Sequence, residues 1–175
     1  AIVKRALELG ITLFDTAELY SGGRSERVLG VGLAGRRPQA FVATKLWPTH
    51  ALRRQVVPSL RRSLERLGME RVELYQLHWP NPLVPLAWTM AGMRDAQEAG
   101  LVDEIGVSNF DLARWRRADA GLGSTVISNQ VRYNLAQRAP EKDLIPFAQA
   151  ERRLIVAYSP LAQGLLSGRY TGANV

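Results

Sequence analysis

The feature that most constrains the fold is a regular alternation of short apolar runs with longer amphipathic segments. The apolar runs have the length of strands and occupy residues 11–15, 41–45, 72–78, 104–107, 125–130 and 154–157. Alternation of this kind predicts a parallel sheet whose strands are joined by right-handed helical crossovers. A doubly wound sheet and a (β/α)8 barrel both fit this pattern, and the repeat length favours neither.

The segments between the strands have helical periodicity, and several end at a glycine. Residues 50–67 form the longest predicted helix, with apolar residues at near-helical spacing and Gly68 at its end. Asn109 is the candidate N-cap of the helix that starts at Phe110. Residues 158–175 are predicted to be loop with about one helical turn. The predicted helices are 1–9, 25–33, 50–67, 86–99, 110–120 and 141–151.

The composition restricts the class of protein. Hydrophobic residues make up 46% of the chain and charged residues 22%, the balance of a globular domain. No apolar run approaches the roughly 18 residues of a membrane span, and the chain begins in a helical pattern, so neither a span nor a signal peptide is expected. The absence of cysteine excludes disulfides and fits a cytoplasmic protein. With only two histidines, His50 and His78, we expect no zinc site.

The chain is strongly basic, with a formal net charge of +7. A basic surface can bind nucleic acid, but the arginines are scattered in pairs and no basic run is interleaved with aromatic residues. We therefore predict no nucleic-acid partner. Only three of the 23 basic residues are lysine, namely Lys4, Lys45 and Lys142. Lys45 at the end of an apolar strand is thus unusual in this arginine-rich chain. The pKa of a lysine can be tuned by burial and by its neighbours, whereas that of an arginine effectively cannot.

Ionisable residues end three consecutive predicted strands: Asp15, Lys45 and His78. Each alone has an ordinary explanation, as a turn cap, a solvated strand end or a hydrogen-bonded histidine. In a parallel barrel, however, the carboxyl ends of the strands converge on the face that carries the active site. Their matching positions therefore predict that the three side chains meet in one site.

Tyr20 lies five residues beyond Asp15 and completes this set. A tyrosine is a weak acid, but a nearby ammonium favours loss of its proton, and a carboxylate can hold that ammonium in place. Asp15, Lys45 and Tyr20 are thus a candidate proton-donating group. His78 could then orient a substrate carbonyl. No GxGxxG fingerprint follows a strand, and Gly22-Gly23 is not followed by GK[ST], so neither common nucleotide loop is indicated.

Six short motifs resemble those of the aldo-keto reductase family, and they cover essentially the whole chain in the family's order. Each alone is weak, whereas the ordered set is highly specific. The motifs are FDTAELY at 14–20, TKLW at 44–47, LHWP at 77–80, GVSNF at 106–110, NQVRYN at 129–134 and AYSPL at 157–161.

The resemblance implies an α/β fold, a parallel (β/α)8 TIM-type barrel. It also implies reduction of aldehydes and ketones with NADPH, and sometimes with NADH. The family's catalytic tetrad would be Asp15, Tyr20, Lys45 and His78. Tyr20 would protonate the carbonyl oxygen as hydride reaches the carbonyl carbon.

The resemblance also implies cofactor-binding and substrate-binding residues. Ser108, Asn109 and Gln130 would hold the nicotinamide carboxamide, and Tyr158 would stack on the nicotinamide ring. Tryptophans at two strand ends would wall the carbonyl pocket. The tryptophans are Trp47 and Trp79. The residues that lie along the pyrophosphate and the adjoining ribose of the cofactor would be Ser159, Leu161, Gln163 and Leu165.

Full members of the family are about twice as long as this chain. We therefore expect residues 1–175 to form a single partial domain of about six βα units, lacking the first and last barrel strands and the site for the adenosine phosphate. The preference for NADPH over NADH then rests on the resemblance alone. Two open strand edges would invite pairing with another chain, as expected for a fragment of a longer reductase.

Three functions remain open at this level. The first is a reductase for small carbonyl compounds. The second is a non-catalytic nicotinamide-binding or regulatory subunit of the same fold, similar to the ion-channel β subunits of this family. The third is an inactive truncated product. The sequence does not identify the carbonyl substrate, because substrate choice in barrels lies in the long loops over the carboxyl face, and part of that face is expected to be absent here. It does not indicate the oligomeric state either.

Overall fold

A single parallel sheet forms the centre of the molecule. The computed structural model describes residues 1–170, and within them six strands pair in chain order, each with the next. A doubly wound sheet would reverse its direction of growth, so this sequential order selects the barrel alternative. The sheet is curled, and the predicted partial (β/α)8 barrel is confirmed. The strands are β1 Leu13–Asp15, β2 Phe41–Leu46, β3 Val72–Leu77, β4 Val102–Ser108, β5 Ser128–Arg132 and β6 Leu154–Tyr158.

Helices separate the strands in the predicted order. Glycines in the left-handed conformation, Gly68 and Gly123, follow the third and fifth α-helices, where only a residue without a Cβ adopts that geometry easily. Short 3-10 turns occupy Tyr20–Gly23, Arg37–Gln39, Pro48–His50, Ala139–Glu141 and Ala162–Ser167. The α-helices are α1 Ile2–Glu8, α2 Arg24–Leu33, α3 Arg53–Leu67, α4 Leu86–Glu98, α5 Leu112–Leu122 and α6 Leu144–Ala150.

Three predicted helices start two or three residues later than expected, at Arg53, Leu112 and Leu144. The helix predicted for 50–67 begins at Arg53, because Leu52 is extended (φ −65°, ψ 136°). The helix predicted for 141–151 is interrupted at Asp143, whose φ of −145° is not helical. Periodicity alone cannot detect such a change of backbone direction. Residues 171–175 of the loop predicted for 158–175 lie outside the described residues.

The N-cap predicted for the fifth helix was wrong. Asp111, not Asn109, caps α5, and its Oδ1 accepts the backbone N–H of Arg114 at 2.7 Å. Asn109 instead has a left-handed backbone with φ of 63°. Both residues are good caps by type, so only the backbone geometry distinguishes them.

The strands separate apolar from polar side chains by their two-residue period. Apolar strand residues such as Leu46, Tyr75 and Val107 pack in the core against the helices. Alternate residues on the same strands, including Lys45 and Gln76, lie on the opposite face and are fully buried. The concave face of the sheet is therefore polar at its carboxyl end, where the site lies.

A buried ion pair joins two helices to the sheet. Arg66 Nε on α3 donates to Glu26 Oε2 on α2 at 2.5 Å, and Thr44 Oγ1 on β2 donates to Glu26 Oε1 at 2.6 Å. Glu26 is fully buried, so both of its oxygens need these partners.

Within residues 1–170 no helix is both long and apolar enough to cross a bilayer.

We predict that Gly30→Ala destabilises the protein. Alanine normally stabilises a helix interior relative to glycine by about 1 kcal/mol. Here, however, a Cβ on Gly30 would lie 2.3 Å from the carbonyl oxygen of Leu67, where α2 crosses the end of α3. We expect the free energy of unfolding in urea to fall by about 1–3 kcal/mol, because backbone must move to relieve the overlap. Val31→Ala, at a residue 79% exposed, should change it little. A Gly30→Ala variant as stable as the parent would show that the helix crossing tolerates a methyl group.

Candidate active site

The three ionisable strand-end residues meet at one end of the sheet, as predicted. β1, β2 and β3 are adjacent and parallel, with Asp15 in register with Ala43 and Lys45 with Gln76. Asp15 and Lys45 therefore point into the same space above the sheet. His78 follows directly after β3, and its backbone N–H donates to the carbonyl of Leu46 at 3.1 Å.

The Lys45 ammonium lies at the centre of this group. It is fully buried and donates to Asp15 Oδ2, to the carbonyl of Thr16 at 2.9 Å and to the hydroxyl of Tyr20 at 3.3 Å. A buried ammonium is tolerated only when it is paired and hydrogen-bonded, and here all three donors have acceptors. The loop after β1 thus places the hydroxyl of Tyr20 in contact with the ammonium of Lys45 on β2.

Two side-chain amides hold the other oxygen of Asp15. Gln130 Nε2 donates to Asp15 Oδ1 at 2.8 Å, and Gln76 Nε2 lies 3.4 Å from the same oxygen. Gln76 was not among the predicted site residues. The sequence contains a pattern that could have identified it, because Gln76 lies two residues before His78 and therefore points to the same side of the sheet as His78. These contacts fix the carboxylate that in turn fixes Lys45.

His78 is 4% exposed and surrounded by aromatic rings. It stacks on Trp79 with centroids 4.1 Å apart and meets Tyr20 edge-on at 5.6 Å. Desolvation, together with the positive charge of Lys45, lowers the pKa of His78 to about 4. The imidazole is therefore neutral at pH 7. Within residues 1–170 its buried Nδ1 has no hydrogen-bond partner, which favours the tautomer with the proton on Nε2.

A cavity of about 380 Å³ opens beside these residues. Nine predicted site residues line it, together with two that were not predicted, Val156 and Ala157. Strands β4 to β6 and the residues directly after them supply seven of these eleven lining residues. The predicted lining residues are Asp15, Tyr20, His78, Trp79, Ser108, Asn109, Gln130, Tyr158 and Ser159.

A hydrogen-bond network connects the polar wall of this cavity. Tyr158 donates from its hydroxyl to Asn109 Oδ1 at 2.8 Å, and Asn109 Nδ2 donates to Ser108 Oγ at 3.0 Å and to the carbonyl of His78 at 3.2 Å. Ser108 Oγ donates to the carbonyl of Gln130 at 2.9 Å. The left-handed backbone of Asn109 thus turns its amide towards three strand ends, which a helix cap would not do.

The remaining predicted residues lie outside this cavity. Trp47 stands behind its aromatic wall, edge-on to His78 at 5.9 Å and to Trp79 at 6.0 Å. Gln163 and Leu165 line a second cavity of about 240 Å³, and Leu161 is exposed. Ser159 borders both cavities, so the two are neighbours.

Comparison with known proteins identifies the class to which this fold and site belong. The model of the aldo/keto reductase family matches residues 1–174. The oxidoreductase Mb2320 of Mycobacterium bovis is 52% identical over 169 residues, which are 97% of this chain and 52% of that protein. The chain therefore belongs to the aldo/keto reductase family, as its six motifs predicted.

Solved structures agree with this assignment. The thermostable aldo-keto reductase Tm1743, solved with the inhibitor epalrestat, has a TM-score of 0.91 and 40% identity over 96% of this chain and 62% of that one. An aldo/keto reductase of Klebsiella pneumoniae, solved with NADP and acetate, has a TM-score of 0.86 and 34% identity over 95% of this chain and 60% of that one. The chain thus spans about half to three fifths of the length of these relatives.

We predict that the burial of His78 makes the fold sensitive to acid. The unfolded chain protonates this histidine as the pH falls through 6.5, whereas the folded chain does so only near pH 4. Between these values the unfolded state binds more protons, so the free energy of unfolding should fall as the pH is lowered from 6.5 towards 4. Urea unfolding at pH 7 and pH 5 should show a smaller fall in a His78→Gln variant. An equal fall in both proteins would contradict the buried neutral imidazole.

Proposed function

We propose that this chain provides the catalytic face of a reductase that converts small aldehydes and ketones to alcohols with NADPH, using Tyr20 as the proton donor. Membership of the aldo/keto reductase family supports the reaction class. The cavity beside Tyr20 and His78 supports a small substrate, because it is concave and lined by a few convergent polar groups.

The observation that carries the proposal is the contact of one ammonium with both Asp15 and Tyr20. Lys45 Nζ lies 3.3 Å from the hydroxyl of Tyr20 while it donates to Asp15. When Tyr20 gives its proton to a carbonyl oxygen, the phenolate that remains is stabilised by this adjacent positive charge. Asp15 and the Thr16 carbonyl keep the ammonium in place, so little reorganisation is needed during the transfer.

The proposed role of His78 is to orient the substrate rather than to donate a proton. With its pKa lowered to about 4 by burial and by Lys45, the ring is neutral at pH 7. A neutral ring with its proton on Nε2 can donate a hydrogen bond to the carbonyl oxygen. The proton that is transferred then comes from Tyr20, whose hydroxyl is already in contact with Lys45.

The residues around the cavity suit a nicotinamide cofactor. When bound, the reduced nicotinamide supplies hydride to the carbonyl carbon. Ser108, Asn109 and Gln130 present hydroxyl and amide groups that match a carboxamide, and Tyr158 presents an aromatic face. NADPH is proposed over NADH because the Klebsiella pneumoniae relative was solved with NADP. For the pyrophosphate and ribose we propose Ser159, Leu161, Gln163 and Leu165.

The tryptophans suggest the kind of carbonyl compound. Trp79 is 41% exposed and lines the cavity beside His78, and Trp47 supports it from behind. An indole at the wall of the pocket favours an apolar or aromatic carbonyl compound over a highly polar one.

We predict that Tyr20→Phe strongly slows NADPH oxidation with 4-nitrobenzaldehyde. The variant keeps the ring but removes the hydroxyl that contacts Lys45, so kcat should fall by about 100-fold or more. The measurement is the loss of NADPH absorbance at saturating aldehyde. Tyr133→Phe is the matched control, because its hydroxyl bonds Glu141 at 2.7 Å outside the cavity, and it should keep the parent rate.

Equal turnover by the parent and Tyr20→Phe would contradict the assignment of the proton donor. Turnover by neither would contradict catalysis by the 175-residue chain. In that case, NADPH binding measured by calorimetry would support the nicotinamide-binding alternative, and its absence would contradict both roles.

A further inference from the structure

Glu18 is a buried carboxylate that neither the proposed tetrad nor the cofactor wall includes. It lies in the loop between β1 and α2, two residues before Tyr20, and its side chain is 7% exposed. Glu18 Oε1 accepts the backbone N–H of Trp47 at 2.5 Å and lies 3.1 Å from His50 Nδ1. Burying a carboxylate costs free energy unless it is well paired, so these two contacts hold it there.

These contacts join two loops of the site. The Glu18 loop carries Tyr20, and Trp47 is the first residue after β2, the strand that carries Lys45. His50 ends the 3-10 turn that leads from Trp47 towards α3. The carboxylate thus fixes both the start and the end of the Trp47–His50 segment. Its contact at the start of the segment is with the backbone N–H of Trp47, which leaves the indole free to pack.

The indole of Trp47 supports the aromatic wall of the cavity. Its ring is edge-on to His78 at 5.9 Å and to Trp79 at 6.0 Å. His78 has an anchor of its own, because its backbone N–H donates to Leu46. Trp79 lies beyond the end of β3 and depends more on its ring contacts with His78 and Trp47. Movement of Trp47 would therefore displace Trp79 before it displaced His78.

We propose that Glu18 is a positioning residue: through the backbone of Trp47 and through His50, it holds the Trp47 indole against Trp79, and thereby sets the affinity for aromatic carbonyl substrates. This inference rests on the proposed reductase function. It assigns Glu18 no contact with the substrate and no part in proton transfer.

Two substitutions separate the effect of the negative charge of Glu18 from the effect of its hydrogen bonds. Glu18→Ala removes the acceptor for both Trp47 and His50. Glu18→Gln keeps a carbonyl oxygen that can accept the Trp47 N–H, and it loses only the charge that strengthens the bond. Glu65→Ala is the control, since Glu65 is exposed on α3, away from the site.

The kinetic test compares an aromatic aldehyde, 4-nitrobenzaldehyde, with a small one, propanal. For Glu18→Ala we expect KM for the aromatic aldehyde to rise about tenfold, with kcat and the KM for propanal changed by less than about threefold. Glu18→Gln should lie between this variant and the parent, and Glu65→Ala should match the parent. An unchanged KM for the aromatic aldehyde, or an equal loss with both aldehydes, would overturn the proposal.

A second readout does not depend on turnover. The chain has four tryptophans, so four indole N–H signals are expected in a 1H–15N spectrum, and Trp47→Phe identifies the one from Trp47. In Glu18→Ala the indole and backbone signals of Trp47 should shift or broaden, and the indole signal of Trp79 should shift as well. Unchanged Trp47 signals would overturn the proposal. If the parent itself showed no turnover, that would contradict the proposed reductase function alone, and the spectra would still decide the role of Glu18.

Discussion

The buried ammonium of Lys45 is the interaction around which the candidate site is organised. A fully buried positive charge must be paired, and its three partners come from the end of β1 and the loop that follows it. This requirement places Tyr20 beside Lys45. It also draws in Gln76 and Gln130, whose amides hold the other oxygen of Asp15. The same charge helps to keep His78 neutral.

The sheet makes this arrangement possible because its strands pair in chain order and all run in one direction. Consecutive strand ends then lie side by side, and their alternate residues point into one space. The outer face packs an apolar layer against the helices, so the polar inner residues do not disrupt the core. Glu18, in the loop after β1, links that loop to the Trp47–His50 segment after β2.

Much of the fold and the site could be predicted from the sequence, because both depend on local patterns. Strand-length apolar runs and ionisable residues at their ends predicted the parallel sheet and the meeting of Asp15, Lys45 and His78. The helix starts after Leu52 and Asp143 were missed, since a single residue with non-helical backbone leaves the periodicity intact. Asn109 was assigned to the wrong role because Asn109 and Asp111, two cap-type residues two positions apart, cannot be ranked by residue type.

The sequence by itself determined the order of elements, the residue types at the strand ends and, through six ordered motifs, the family. The tertiary structure alone decided which polar groups share a partner. Gln76 and Gln130 are 54 residues apart by number, yet both reach one oxygen of Asp15, and Glu18 reaches the backbone of Trp47. Such contacts depend on register and on the curl of the sheet, and these are set by packing across strands that are distant in the chain.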